Sequence, residues 1–364
     1  MQAWETVAPI PAPALHAFIV DLLAAVGVPA EPADMTASCL VDAELRGLPS
    51  HGVLRLPVYV ERIRRGLMTA DCGWQQIKDG PAFAMIDANY GLGFVAANAA
   101  MNVAMKKAAT AGVGFVVVRN ASHFGAAGYY TRLAAKRGYI AVALSNTAPL
   151  LSLPGSDRAA VGNNPISVAV PAADADCPMV TDLALSAASI GRIMLAHAQN
   201  ASIPSSWALD RRGEPTTDAA EALASWRLQP VGGPKGLSLA LAIEALTGVL
   251  SGSGFGTQLT SINTDFTRPQ SLGQVMLAID PGVFIAPGEL AARMQELRAM
   301  VRATGNSDRL PGERSEDVYA DNLAAGLRIA TKVLDELRTL AQRLSIPEAF
   351  ARLSAEARPQ QEMS

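Results

Sequence analysis

Cysteine is scarce in this 364-residue chain. The three present, Cys39, Cys72 and Cys177, are far apart and odd in number. That pattern offers neither a disulfide framework nor paired zinc ligands, so no metal is expected. Positive charge is missing from the start of the chain. No Lys or Arg precedes Arg46, and Glu5 lies where a secretory signal would carry its basic region. No apolar run is long enough to cross a bilayer. An excess of positive charge is lacking as well: 30 Lys and Arg against 33 Asp and Glu leave a net charge of -3, and this mild acidity argues against a nucleic-acid footprint, which would show basic clusters. Together these absences point to a cytoplasmic protein in a reducing compartment, acting on small molecules rather than on nucleic acid or membrane.

What is present is an ordinary globular composition, 50% hydrophobic and 17% charged. Helical spacing dominates the first part, over residues 14–26, 33–46 and 53–66. Pro13 stands near the first helix start, and Gly27 and Gly66 stand at helix ends. Strand-like runs at 82–86 and 113–119 flank an Ala-rich helix over 95–111. Short β runs follow at 140–145, 165–170 and 179–182, between Gly, Pro and Asn turns. A helix is expected over 186–200, a polar loop over 207–218, a long apolar helix over 237–250 and a strand over 275–279. The end is helical again, over 289–303 and 317–344, with a frayed tail at 359–364. The helix, mixed, helix order predicts an α/β (α+β) fold whose two ends pack together around a middle domain.

Chemistry concentrates in two His-Gly turns. Ser122-His123-Phe124-Gly125 follows the buried run 113–118, and Pro49-Ser50-His51-Gly52 precedes a helix. A neutral imidazole at such a place can exchange protons near pH 7. Alone, each histidine reads as a cap or a core residue; two of the chain's four histidines in such turns raise the odds of an active site. His16 and His197 lie on helices and read as structural. Arg55 stands four residues after His51 and Tyr59 four after that, so one helix would place all three on one face. A guanidinium there can hold a carboxylate by two parallel hydrogen bonds; the plainer reading is a surface ion pair with Glu61 or Asp42. Lys235-Gly236, just before the apolar helix, and the turn Asn163-Asn164-Pro165 offer backbone N–H groups to phosphates. The plainer reading of Lys235 is a solvated lysine. Gly91-Leu92-Gly93-Phe94-Val95-Ala96 matches G-x-G-x-x-A. The next strand ends at Arg119-Asn120 without an acid for a ribose, so the pattern reads as a tight strand-to-helix turn, not a Rossmann loop.

Several stretches together carry a family resemblance. They are 50–57, 122–130, Gly162-Asn163-Asn164-Pro165, Asp182-Leu183-Ala184, Trp207-Ala208-Leu209-Asp210, Gly233-Pro234-Lys235-Gly236 and Pro311-Gly312-Glu313. In this order, over roughly residues 10–340, the chain resembles the type-2 malate/L-lactate dehydrogenase family. Relatives include ureidoglycolate and sulfolactate dehydrogenases and cyclic-imine carboxylate reductases. The resemblance implies a homodimeric oxidoreductase using NAD or NADP on a small carboxylate substrate. It also implies a non-Rossmann, L-sulfolactate dehydrogenase-like fold, with a largely antiparallel mixed sheet and a helical domain built from both termini. The expected parts are a helical domain at 1–75, a connecting segment at 76–120, an NAD(P)-binding domain at 121–300 and returning helices at 301–364.

The same resemblance places the cofactor along Ser122, His123, Phe124 and Gly125, then Thr147, Asn163, Asn164 and Pro165. It continues over Asp182, Leu183 and Ala184 to Lys235 and Gly236, with Arg309 and Gly312 nearby. In the ureidoglycolate branch the position of His123 is the base. In the imine reductase branch the position of His51 works with Ser50 and Asp182. Arg192 and Asn163 stand where relatives commonly carry lysine and threonine, which leaves substrate and cofactor choice open. The expected reaction is hydride transfer between nicotinamide and a 2-hydroxy/2-oxo carboxylate; reduction of a cyclic imino-carboxylate is the alternative.

Overall fold

Helical spacing at both ends of the chain and β-branched runs in the middle produce a two-part structure. The coordinates are a computed structural model, which describes residues 9–172 and 177–357. The chain opens with α1 (Ala12–Ala24), α2 (Ala30–Leu45) and α3 (Leu56–Arg64); two 3₁₀ turns, Pro49–His51 and Val53–Arg55, join the last two. Next come β1 (Gln75–Asp79), β2 (Phe83–Asp87), α4 (Gly93–Ala111), β3 (Val113–Ala121) and α5 (Ala127–Ala135). They are followed by β4 (Ile140–Ser145), β5 (Ile166–Val170), β6 (Met179–Leu183) and α6 (Ile190–Ala198). A small hairpin, β7 (Ala208–Leu209) and β8 (Pro215–Thr216), leads to α7 (Ala219–Ser225) and α8 (Pro234–Glu244), which runs on through a π turn, Ala245–Val249. The chain then forms β9 (Leu272–Ile279), α9 (Pro287–Ala303), α10 (Glu313–Ala325), α11 (Thr331–Arg343) and α12 (Pro347–Glu356).

Seven strands form one sheet in the order β1-β2-β3-β9-β4-β5-β6. Only β2 and β3 run parallel; every other neighbour pair is antiparallel. This is the largely antiparallel mixed sheet that was expected. The directions have a consequence for function. The C-terminal ends of β2, β3, β4 and β6 and the N-terminal ends of β5 and β9 all lie at one end of the sheet. The sheet is covered on both faces. Val116 and Val118 turn to α4 and α5, while Val117 and Val275 turn to Ala240 and Ile243 of α8, the period-2 alternation of a strand.

A second core joins the two ends of the chain. Leu15, Phe18, Leu40 and Tyr59 pack with Leu334, Leu337 and Leu353. Ile10 and Leu327 exchange two backbone hydrogen bonds, at 2.9 and 2.8 Å. The helical stretch expected over 317–344 is therefore two helices, parted at Gly326 (φ 86°) so that Leu327 can pair with Ile10. Sequence reading also missed β1, whose residues are all exposed and lack alternation. It missed α5 as well, because Ala127-Gly128-Tyr129-Tyr130 reads as a turn. The helix over 186–200 starts later, at Ile190, where Ser189 Oγ accepts the Arg192 N–H at 3.3 Å. The tail at 359–364 lies outside the described residues.

Candidate active site

Two loops meet at the crowded end of the sheet. The first joins α2 to α3 and carries Ser50, His51 and Arg55; the second leaves β3 and carries Ser122, His123 and Gly125. Their imidazoles lie face to face, with ring centroids 5.9 Å apart and planes 21° from parallel. The Tyr59 hydroxyl, from α3, lies 2.7 Å from His123 Nδ1, and the Gly125 N–H donates to the same nitrogen at 3.3 Å. His123 is thus fixed through Nδ1, and its Nε2 has no hydrogen-bond partner among the described residues. Phe94 of α4 packs edge-on against Tyr59. Gly93 lets α4 start against this loop, because a Cβ there would overlap the carbonyl oxygens of Ser122 and His123. The G-x-G-x-x-A pattern is therefore a tight β2-to-α4 turn.

His51, Arg55 and Tyr59 do converge, though not on one helix. His51 ends the first 3₁₀ turn, Arg55 ends the second, and Gly52 separates them. A Cβ on Gly52 would overlap the Glu44 carboxylate, and the Val53 N–H donates to Glu44 Oε1 at 2.8 Å. Glu44 therefore pins the loop from below. Ser50 Oγ lies 3.0 Å from His51 Nδ1. Arg55 donates through Nε to the Ser50 carbonyl at 2.8 Å and through Nη1 to Asn263 Oδ1 at 2.9 Å, which leaves Nη2 for an anion. The partners that a surface ion pair would need are engaged elsewhere: Glu61 with Arg65 and Arg343, Asp42 with Arg46 and Arg132. Arg62, fully buried, holds the loop that presents Asn263. It donates to the carbonyls of Ile262, Asp265 and Arg268 at 3.2, 2.8 and 3.0 Å.

Burial sets the charge state of this site. It holds His51 down to about 4, and the positive charge of Arg55 adds to the effect. His123 lies well below the usual imidazole range, first through burial, then through Arg55 and His51. Burial also pushes the Tyr59 phenol up. At neutral pH both imidazoles are uncharged and Tyr59 keeps its proton.

The strand ends add a second group of residues. Thr147, after β4, donates through Oγ1 to Asn163 Oδ1 at 2.8 Å and through its N–H to Asn164 Oδ1 at 3.0 Å. Backbone hydrogen bonds from Leu185 to Asn163 and from Val231 to Leu185 lead to Lys235 and Gly236 at the start of α8. Leu183 is 52% exposed, and Ala184 beside it is exposed too. Lys235 is exposed and has no ion-pair partner among the described residues. Leu183 and Ala184 thus expose apolar surface at the end of β6, and Lys235 offers a cation at the start of α8.

Some expected residues sit differently. Asp182 is solvent-accessible, and protein crowding around its carboxyl pushes the pKa up, opposed by the Gly128 N–H and Arg132. Its Oδ2 accepts the Gly128 N–H at 2.8 Å, so it anchors the start of α5 and makes no hydrogen bond to His51 or Ser50. Ser122, Phe124 and Asn164 are buried. The Phe124 ring stacks on Tyr130, and all three side chains pack inward beneath their loops. Arg309 and Gly312 fall at the other end of β6, where the Pro311 carbonyl accepts the Val180 N–H. Arg309 pairs there with Asp317 at 2.6 Å, in a separate cleft of about 500 Å³. Sequence reading missed Glu44, Arg62, Asn263 and Glu244. The first two had a signal: each places a charge where helical spacing from Leu40 or Tyr59 calls for an apolar residue.

Paired imidazoles and a guanidinium beside the strand ends of a non-Rossmann sheet are the groups that proton exchange and carboxylate binding on a small molecule require. The family profile for malate/L-lactate dehydrogenase matches residues 10–338. The chain belongs to that family and is a dehydrogenase acting on 2-hydroxy acids. It is 34% identical to the L-sulfolactate dehydrogenase of Methanothermobacter thermautotrophicus over 90% of this chain and 95% of that one. Identity is 38% to the (2R)-3-sulfolactate dehydrogenase (NADP(+)) of Chromohalobacter salexigens, over 88% and 95% of the two chains. Against the ureidoglycolate dehydrogenase (NAD(+)) of Escherichia coli it is 33%, over 89% and 93%. The solved sulfolactate dehydrogenase of Methanocaldococcus jannaschii superposes with a TM-score of 0.86 at 33% identity, covering 93% of this chain and 98% of that one. The Δ1-piperideine-2-carboxylate reductase of Pseudomonas syringae gives 0.83 at 29% identity, over 92% and 99%.

Proposed function

We propose that the protein transfers a hydride reversibly between NAD or NADP and a small 2-hydroxy or 2-oxo carboxylate of the malate, lactate, sulfolactate or ureidoglycolate kind. The observation that carries this reading is the meeting of two neutral imidazoles and a half-free guanidinium. Its cofactor side rests on fit. Leu183 and Ala184 give an exposed apolar surface, and Lys235 at the start of α8 gives charge and N–H groups to phosphates. When bound, the nicotinamide supplies or receives the hydride.

The chain's own residues do the rest. Arg55 holds the substrate carboxylate. His123 exchanges the proton with the substrate oxygen through Nε2. The Gly125 N–H donates to Nδ1, so that nitrogen accepts, the Tyr59 hydroxyl donates to it as well, and the neutral ring carries its proton on Nε2, where the exchange takes place. His51, tied to Ser50, orients the substrate or substitutes as the acid/base. Asp182 serves by anchoring α5 beside the His123 loop. In this reading residues 121–300 form the cofactor domain, and segments 1–75 and 301–364 form the helical domain on the substrate side. The enzyme works as a cytoplasmic homodimer.

His123→Ala tests the assignment. Loss of a general acid/base typically costs on the order of 10²–10⁴ in turnover, and cofactor binding is expected to survive. If His51→Ala loses turnover and His123→Ala does not, the two roles exchange. If both variants stay active, neither carries the proton. Likeness to the piperideine-carboxylate reductase favours one second reading, reduction of a cyclic imino-carboxylate held by the same Arg55. Absorbance of the reduced nicotinamide, followed with a panel of 2-oxo acids and cyclic imines, separates the two.

A further inference from the structure

Glu244 is the one charged residue between Lys235 and Asp265. It ends α8 on the face turned to the sheet and is 5% exposed. Three donors converge on its carboxylate. Oε1 receives the Gly256 N–H at 2.8 Å and Asn146 Nδ2 at 3.2 Å; Oε2 receives Asn164 Nδ2 at 2.6 Å. With a donor at every one of these contacts, the Glu244 oxygens only accept, and they fix which way both amides turn. Asn164 also gives Nδ2 to the Ala240 carbonyl at 2.9 Å, and its Oδ1 then faces the Thr147 N–H at 3.0 Å. Asn146 gives Nδ2 to the Gly254 carbonyl and receives the Gly273 N–H on Oδ1, each at 2.9 Å. The Thr147 and Asn163 turn therefore takes its polarity from a group on the helix whose first turn carries Lys235.

We propose that Glu244 is a positioning residue for the cofactor: it orients the buried amides that hold Thr147 and Asn163 in register with Lys235. This rests on the nicotinamide reading above. Glutamine has the same shape but presents an NH₂ to one of the three donors. If the NH₂ faces Asn164, that amide must turn over and set its own NH₂ against the Thr147 N–H. If it faces the other way, Asn146 and Gly256 lose their acceptor. A buried donor without a partner is costly, and here the cost falls on the cofactor turn.

The test uses Glu244→Gln, Glu244→Asp and Lys235→Glu in the full-length protein, titrated with NADH and with NADPH by fluorescence. Glu244→Gln is expected to raise the cofactor Kd by about tenfold or more. The KM of the hydroxy acid at saturating cofactor should change by less than about twofold, because Arg55 and the His turns lie outside the relay. Glu244→Asp, still acceptor-only but one methylene shorter, should fall between. A cofactor Kd within about twofold of wild type, with a lowered Tm, would reduce Glu244 to a fold-holding role and overturn the proposal. Should Glu244→Gln not fold, the Asp variant is judged by the same criterion. Lys235→Glu separates the two levels. If it weakens binding and the Glu244 variants do not, the proposal alone fails. If none of the three weakens binding, the cofactor lies elsewhere and both readings fail.

Discussion

Glu44 shows how one buried acid can fix a catalytic loop and tax stability at the same time. Its carboxylate fills the space beneath Gly52 and receives the Val53 N–H. Burial pushes it from the ordinary 4.5 to about 7, against the opposing pull of that N–H. The folded state therefore keeps the Glu44 proton over a range where the unfolded chain has lost it. This contribution is fully present below pH 4.5 and is lost as pH rises through 7. The gap corresponds to about 3 kcal/mol above pH 7. Glu44→Gln keeps an oxygen for the Val53 N–H and does not titrate. Its Tm should match wild type near pH 5 and exceed it by a few degrees at pH 8. Parallel Tm profiles across that range would show that Glu44 does not carry the proton. The two histidines act with the opposite sign. Their depressed values remove stability only as pH falls below 6.5, so they do not disturb the comparison at pH 8.

At the scale of elements, α3 links the substrate side to a distant loop. Arg62 projects from it into the core and ties down three carbonyls of the segment 262–268, and that segment presents Asn263 to Arg55. A lysine has one compact charge and cannot reproduce a planar fork that meets three acceptors. Arg62→Lys should therefore lower stability by about 2 kcal/mol, since buried charge-assisted hydrogen bonds are lost. It should also raise the KM for carboxylate substrates more than it changes kcat. Denaturant unfolding and steady-state kinetics check both, and an unchanged KM would uncouple this loop from the Arg55 clamp. Such long-range ties explain what sequence reading could and could not reach. The buried strands β3 and β4 were legible because β-branched runs leave little choice. The His-Gly turns were legible because glycine beside histidine marks close backbone approach. Glu44 over Gly52, Arg62 on its three carbonyls and the break at Gly326 were not, because each is fixed by a partner far along the chain. Asp182 was placed with His51 by resemblance; its hydrogen bond instead goes to the start of α5, which local pattern did not show as a helix.

For the whole molecule, the decisive feature is a helix that is apolar on both sides. Ala240 and Ile243 of α8 pack into the core under the sheet. The outer side of α8 and its π turn leaves Leu239, Leu241, Leu246, Val249 and Leu250 between 41% and 57% exposed. A helix apolar all round is normally buried, and a contiguous apolar face on a folded chain marks an interaction surface. This face is the expected contact of the homodimer proposed above. A two-fold contact places each residue near its own counterpart or a neighbour of it, so any charge introduced there appears twice. Leu246→Glu combined with Val249→Glu brings four carboxylates into the contact. Both positions are exposed in the single chain, so the change should disturb the fold of each subunit little. Light scattering should give twice the chain mass for the wild type at micromolar concentration and one chain mass for the double variant, with circular dichroism unchanged. A wild type that scatters as a single chain would remove the dimer. A double variant that keeps twice the mass would move the contact away from α8.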